Sequence, residues 1–171
     1  MNKIPPPITP KAPVAGVLHV MHAFGAGRDD PYQAKGRYLE PTVCGDCGAL
    51  FHDGHWDWDP APEYAAQARC PACRRMRDRL PAGTLVLEGP FVDDHLHELV
   101  ALIREEAERE HSEHPLQRLM EITAKPRRIQ VATTDIDLPQ RLGEAVRRAY
   151  DGSLTVKVDH LAYSARVFWR R

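Results

Sequence analysis

The chain has four cysteines, arranged as two pairs: Cys44-Gly45-Asp46-Cys47 and, 22 residues later, Cys70-Pro71-Ala72-Cys73. Two residues between the members of each pair let a tight turn aim both sulfurs at one ion. Four thiolates fill the tetrahedral shell of Zn²⁺ and leave no open position, so the implied cofactor is a structural Zn²⁺ held by Cys44, Cys47, Cys70 and Cys73. Two disulfides are the first competing reading, but the chain shows no secretory signal pattern. A redox dithiol is the second, and Cys70-Pro71-Ala72-Cys73 resembles one. A second pair at ribbon spacing favours metal.

Other reactive side chains lie around these pairs. His52 and His55 could replace a cysteine as ligand, although four thiolates already suffice. His19 and His22 are three apart, and nothing nearby completes a site with them. Phe51, Trp56 and Trp58 would cover the small hydrophobic floor of a ribbon. The sharper alternative is that Trp56 or Trp58 stacks on nucleic-acid bases. Arg74, Arg75 and Arg77 follow the second pair, where they offset the charge of −2 on a four-thiolate zinc site or hold phosphates. No phosphate-binding Gly-rich loop, Gly-x-Ser-x-Gly or His-Glu-x-x-His occurs. A zinc deaminase needs His-x-Glu ahead of its cysteines, whereas His95-Leu96-His97-Glu98 comes after them. Thiol–disulfide exchange is the one enzymatic reading left, and bound zinc would remove it. A non-catalytic protein is expected.

The elements that must position these residues follow from composition and periodicity. Across 171 residues, 43% are hydrophobic, enough for a packed core, while 15 prolines point to unstructured segments. The net charge of −1 is unevenly spread: residues 91–113 carry eight acids against two bases, and residues 125–171 ten bases against five acids. A basic face can bind phosphates on a nearly neutral protein. No apolar run approaches a membrane span, so the chain reads as cytoplasmic and soluble.

Residues 1–40 read as a flexible N-terminal arm, with Pro5-Pro6-Pro7, Pro10 and Pro13 forbidding an early helix. Within it, residues 30–37 mix bases with an aromatic and could lie along nucleic acid. Residues 41–80 form the ribbon, with Gly45 and Gly48 suited to positive φ in its turns. Residues 81–171 change period. Thr84–Glu88 reads as a strand, and Asp93 or Asp94 caps a helix with Leu96, Leu99, Val100, Ile103 and Ala107 on one side. Strands follow at 117–123 and 128–134, the second alternating Ile129, Val131 and Thr133 with Gln130, Ala132 and Thr134. Asp135 or Asp137 caps a second helix with the stripe Leu138, Leu142, Ala145, Val146 and Ala149. Two last strands occupy 153–159 and 165–169. The expected architecture is α+β: an N-terminal Cys₄ zinc ribbon, then a split-βαβ, ferredoxin-like domain of βαββαβ plus one strand. One sheet face packs on the helices and the other stays open. Lys125, Arg127, Arg128, Arg147, Arg148, Lys157, Arg166, Arg170 and Arg171 supply its bases.

Several stretches carry a resemblance: Glu40–Ala49, Gly54–Trp58, Cys70–Asp78, Thr133–Ile136 and Ala149–Gly152. On these the chain resembles uncharacterised bacterial zinc-ribbon proteins. Those are similar to the zinc-binding region of the Nmd-three-type adaptor family that accompanies large ribosomal subunits. The resemblance implies zinc-dependent association with RNA or the ribosome. Together with the basic stretches, it marks Arg74, Arg75, Arg77, Lys125, Arg127, Arg128, Trp56 and Trp58 as candidate RNA contacts. A zinc-stabilised protein–protein adaptor, with the open sheet holding a partner chain, is the alternative.

Overall fold

Alternating small and apolar residues around the first cysteine pair build short strands, because each needs only one buried face. In the computed structural model, which describes residues 30–33 and 38–171, these are β1 (Thr42–Cys44), β2 (Leu50–His52), β3 (His55–Asp57) and β4 (Ala66–Ala68). They form one sheet in the order β3-β2-β1-β4. The β2–β3 hairpin turns on Asp53 and Gly54, both at positive φ, which is the backbone an Asp-Gly pair favours. The expectations for residues 1–29 of the arm, His19 and His22 among them, and for Ala34–Arg37 lie outside the described residues, while the end of the arm is held down: Asp30 is buried and Tyr38 packs on the cysteine cluster.

The second cysteine pair opens a helix for which the ribbon spacing gives no signal, α1 (Pro71–Asp78). Pro71 suits its first turn, and the Cys70 sulfur accepts the Cys73 N–H as a cap. Arg79 closes it in the left-handed conformation.

The remaining elements are β5 (Gly83–Glu88), α2 (Pro90–Asp94), α3 (Leu96–Glu113), β6 (Leu119–Lys125), β7 (Arg128–Thr133), α4 (Leu138–Tyr150), β8 (Ser153–Asp159) and β9 (Ser164–Arg170). The described chain is thus mixed α+β with two sheets and four helices. Two local expectations change, and a third, the capping of α4 by Asp135 or Asp137, is met by both residues together. Neither Asp93 nor Asp94 caps α3: Pro90 starts α2 earlier, and the Asp93 carboxylate instead accepts the Arg127 N–H. Asp137 stands at the cap position of α4, but the Asp135 carboxylate takes the Asp137 and Leu138 N–H groups. Gly45 does not need positive φ; only Gly48 of that pair adopts it.

The larger sheet runs β6-β7-β5-β9-β8. β7 lies between β5 and β6 and is antiparallel to both, as a split βαβ unit requires. The extra strand breaks the antiparallel order of such a unit. After α4 the chain goes out to the edge as β8, then returns as β9 beside β5, making a parallel central pair. Burial explains the choice. β9 alternates buried Ala165, Val167 and Trp169 with exposed residues, while β8 is mostly polar and tolerates an edge. Leu85, Leu87, Ile129, Val131, Val167 and Trp169 form one core with Leu99 and Ile103 of α3 and Leu138, Leu142 and Val146 of α4. No helix among the described residues is long and apolar enough to cross a membrane.

Candidate metal centre

Folding brings the four sulfurs together. Their ligand atoms all lie within 4.8 Å of one another. The Cys47 and Cys70 sulfurs are 3.8 Å apart. Four sulfurs, each about 2.3 Å from one tetrahedral ion, sit about 3.8 Å from their neighbours. All four cysteines are free thiols, so no disulfide competes for them.

The protein donates hydrogen bonds to these sulfurs. The Cys70 N–H points to the Cys44 sulfur at 3.3 Å, and an Arg118 guanidinium N–H to the Cys73 sulfur at 3.1 Å. Both bonds stabilise thiolates. Gly48 makes the first turn, its N–H donating to the Cys44 carbonyl at 2.9 Å. Cys44, Cys70 and Cys73 are buried beside Ala49, Phe51 and Trp56, and Tyr38 and Leu116 pack against the cluster.

Without a cation this arrangement cannot ionise fully. The Cys70 side chain, hydrogen-bonding to Cys47, holds the Cys47 thiol down at about 5. Bonding to that same Cys47 pushes the Cys70 thiol upward, with burial adding to it. Burial first, then the Cys47 charge, pushes Cys73 up to about 12. One thiolate thus suppresses its neighbours, and a divalent cation is the group that lets all four lose their protons. The site would hold a metal ion such as Zn²⁺, with every ligand supplied by the chain.

The candidate RNA contacts divide. Trp56 is buried, with its ring 5.0 Å from Tyr38 and 5.4 Å from Phe51, so it is core and cannot stack on a base. Trp58 is half-exposed, and its indole N–H donates to the His111 carbonyl at 2.8 Å, tying the small sheet to α3. Arg75 is buried too. Its guanidinium pairs with Asp30, donates to the Leu80 carbonyl at 3.3 Å and lies 4.4 Å from the Tyr32 ring centre. It therefore joins segments of the protein and does not meet phosphates. Arg74 donates to the Tyr32 carbonyl at 3.1 Å. Arg77 is exposed beside Asp78.

The sheet face turned away from the helices gathers the other bases. Strand register places Lys125, Arg128, Glu88, Arg170 and Ser153 in one row across it. The next row is Thr123, Gln130, Val86, Phe168 and Thr155, and the third is Glu121, Ala132, Thr84, Arg166 and Lys157. Five bases and two acids thus surround Phe168, which is 37% exposed. Arg128 and Arg170 both pair with Glu88, at 2.8 and 3.2 Å. At the end of this face, Arg127, Arg128, Arg170 and Arg171 line a hollow of about 510 Å³. Arg147 and Arg148 lie elsewhere, on α4, near Glu144 and Glu106. Phe168 was legible as the outward partner of Val167 and Trp169 in an alternating strand, but the neighbours that make it a platform come from three other strands.

Compared with protein-family models, curated proteins and solved structures, the chain matches none.

Proposed function

We propose that this chain is a non-catalytic protein whose N-terminal Cys₄ zinc ribbon supports association with structured RNA, ribosomal RNA first among the candidates. The observation that carries the reading is the open sheet face, where exposed Phe168 stands among Lys125, Arg128, Lys157, Arg166 and Arg170. An aromatic platform accepts a base by stacking, and the surrounding guanidinium and ammonium groups hold the backbone phosphates. The arginine-lined hollow continues the same charge. The zinc would supply folding energy and no reactive position. The cytoplasm, which keeps thiols reduced, suits such a centre.

A zinc-stabilised adaptor for a protein partner is the second reading, favoured by the exposed apolar side chains of Leu39, Tyr64, Leu80 and Leu161. Thiol–disulfide exchange would need the cysteines free of metal.

The test is binding of the zinc-loaded full chain to ribosomal RNA across a range of salt. Affinity should fall linearly on a log–log plot, with Arg170→Ala lowering the slope by about 1. Phe168→Ala should weaken binding by about 1–3 kcal/mol. A complex indifferent to salt, or unchanged by both substitutions, refutes the RNA reading. A partner that survives nuclease treatment supports the adaptor.

A further inference from the structure

A second donor cluster sits on the β2–β3 hairpin, away from the cysteines. The Asp53-Gly54 turn folds His52 opposite His55, and the strand then runs on through Asp57 to Asp59. His52 Nε2 lies 2.6 Å from Asp57 Oδ2 and 3.2 Å from Asp59 Oδ2. These three donors fall within 4.8 Å of one another. His52 Nε2 is closed off from solvent, yet it hydrogen-bonds to neither carboxylate.

The other atoms of the cluster are already engaged, which turns the free ones toward a single point. His52 Nδ1 stands 3.2 Å from Asp53 Oδ2, where a ring N–H donates. That bond leaves the lone pair on Nε2, the tautomer in which a carboxylate orients a metal-binding histidine. Asp57 Oδ1 accepts the Asp59 N–H at 2.9 Å, leaving Oδ2 to face the histidines. His55 repeats the pattern, with Nδ1 3.3 Å from the Asp53 carbonyl and Nε2 3.3 Å from Asp57 Oδ2. A nitrogen lone pair held against two carboxylate oxygens is repulsive unless a positive charge stands between them. A proton on Nε2 would supply that charge to one oxygen at a time. A metal ion bonds all three at once, and donors around one Zn²⁺ lie roughly 3.0–3.4 Å apart; the 3.2 Å spacing to Asp59 matches this, and the 2.6 Å spacing to Asp57 would widen to it on binding.

The geometry points to a second divalent-metal site of the zinc class, with His52 Nε2, Asp57 Oδ2 and Asp59 Oδ2 as ligands and His55 Nε2 beside them. One imidazole and two carboxylates suit first-row ions, and three protein ligands leave a position for water. That position would open toward a hollow of about 620 Å³ lined by Glu40, Asp53, Pro60 and Tyr64 among others. The site is independent of the cysteines, which share none of its donors.

Zinc equivalents per chain, counted by elemental analysis after equilibrium dialysis of the full protein, test it. His52→Gln and Asp59→Asn should each lose one equivalent relative to the unsubstituted chain, whatever number the cysteines hold. Asp59 is 66% exposed, so its variant keeps the fold if His52→Gln does not. Tryptophan emission, which reports on buried Trp56, checks folding of each variant. Equal zinc counts in the unsubstituted chain and a folded Asp59→Asn variant overturn the assignment.

Discussion

The Arg75–Asp30 pair gives the sharpest quantitative test of how this structure is held together. Both side chains are withdrawn from water, at 5% and 8% exposure, and they join the segment before β1 to the middle of α1. Arg75 has few substitutes for its partner: the Leu80 carbonyl at 3.3 Å and the faces of Tyr32 and Tyr163, with ring centres at 4.4 and 5.4 Å. Its Nε has no acceptor. Asp30→Asn therefore leaves a buried guanidinium without its counter-charge, which costs about 3–5 kcal/mol. In a chain of this size that loss lowers the melting temperature by roughly 6–20 °C. Arg75→Met strands Asp30 instead, although Asp30 keeps the Tyr32 N–H at 2.9 Å. Combining the two removes both charges, so the double variant should be less destabilised than the sum, by about 2–3 kcal/mol. Urea melts at a fixed excess of Zn²⁺ on all four proteins complete the cycle. Additive effects, or a cost of Asp30→Asn below about 1 kcal/mol, refute the buried-pair reasoning. RNA affinity should not follow Arg75→Met except through folding, since Arg75 does not reach solvent.

Two further predictions concern the metal and one buried acid. Chelation, or Cys44→Ser, should unfold the small sheet, because its core is built on the cysteines themselves. Trp56 emission should shift to the red while the near-ultraviolet signal of Trp169, buried in the larger core, persists; unchanged emission after chelation would contradict a structural metal. Asp135 is buried, and that burial, reinforced by the neighbouring Asp137 charge, pushes its carboxyl from the ordinary 3.8 to about 7. Between those two values the folded state keeps a proton that the unfolded chain has released, so stability falls as pH rises. The stability of Asp135→Asn relative to the parent should accordingly climb by at most about 4 kcal/mol from pH 4 to pH 8. A flat difference in paired urea melts would show that the Asp137 and Leu138 N–H groups already stabilise the charge.

Much of the local structure was readable in advance because its causes are local. The helix at Leu138–Tyr150 was expected within a residue or two, since Leu138, Leu142, Ala145 and Val146 recur at helical spacing and all are buried. The strands at 128–133 and 153–159 followed from alternation and turn residues. The short α1 was missed, because its charged run Arg74–Arg79 hides a helix whose signals are only Pro71 and the capping Cys70 sulfur.

By itself the sequence determined the cysteine quartet, because four thiols in two tight pairs have few other uses, and it determined which face of each strand and helix is apolar. Tertiary structure alone decided the rest. It inserted β9 between β5 and β8, since pairing partners distant in the chain are selected by mutual burial and not by local propensity. It placed Arg75 inside and left Arg77 outside, although both belong to one basic run. It set Phe168 among bases drawn from β6, β7, β8 and β9. Each of these outcomes depends on atoms far apart in sequence competing for the same few ångströms, and no window along the chain contains both competitors.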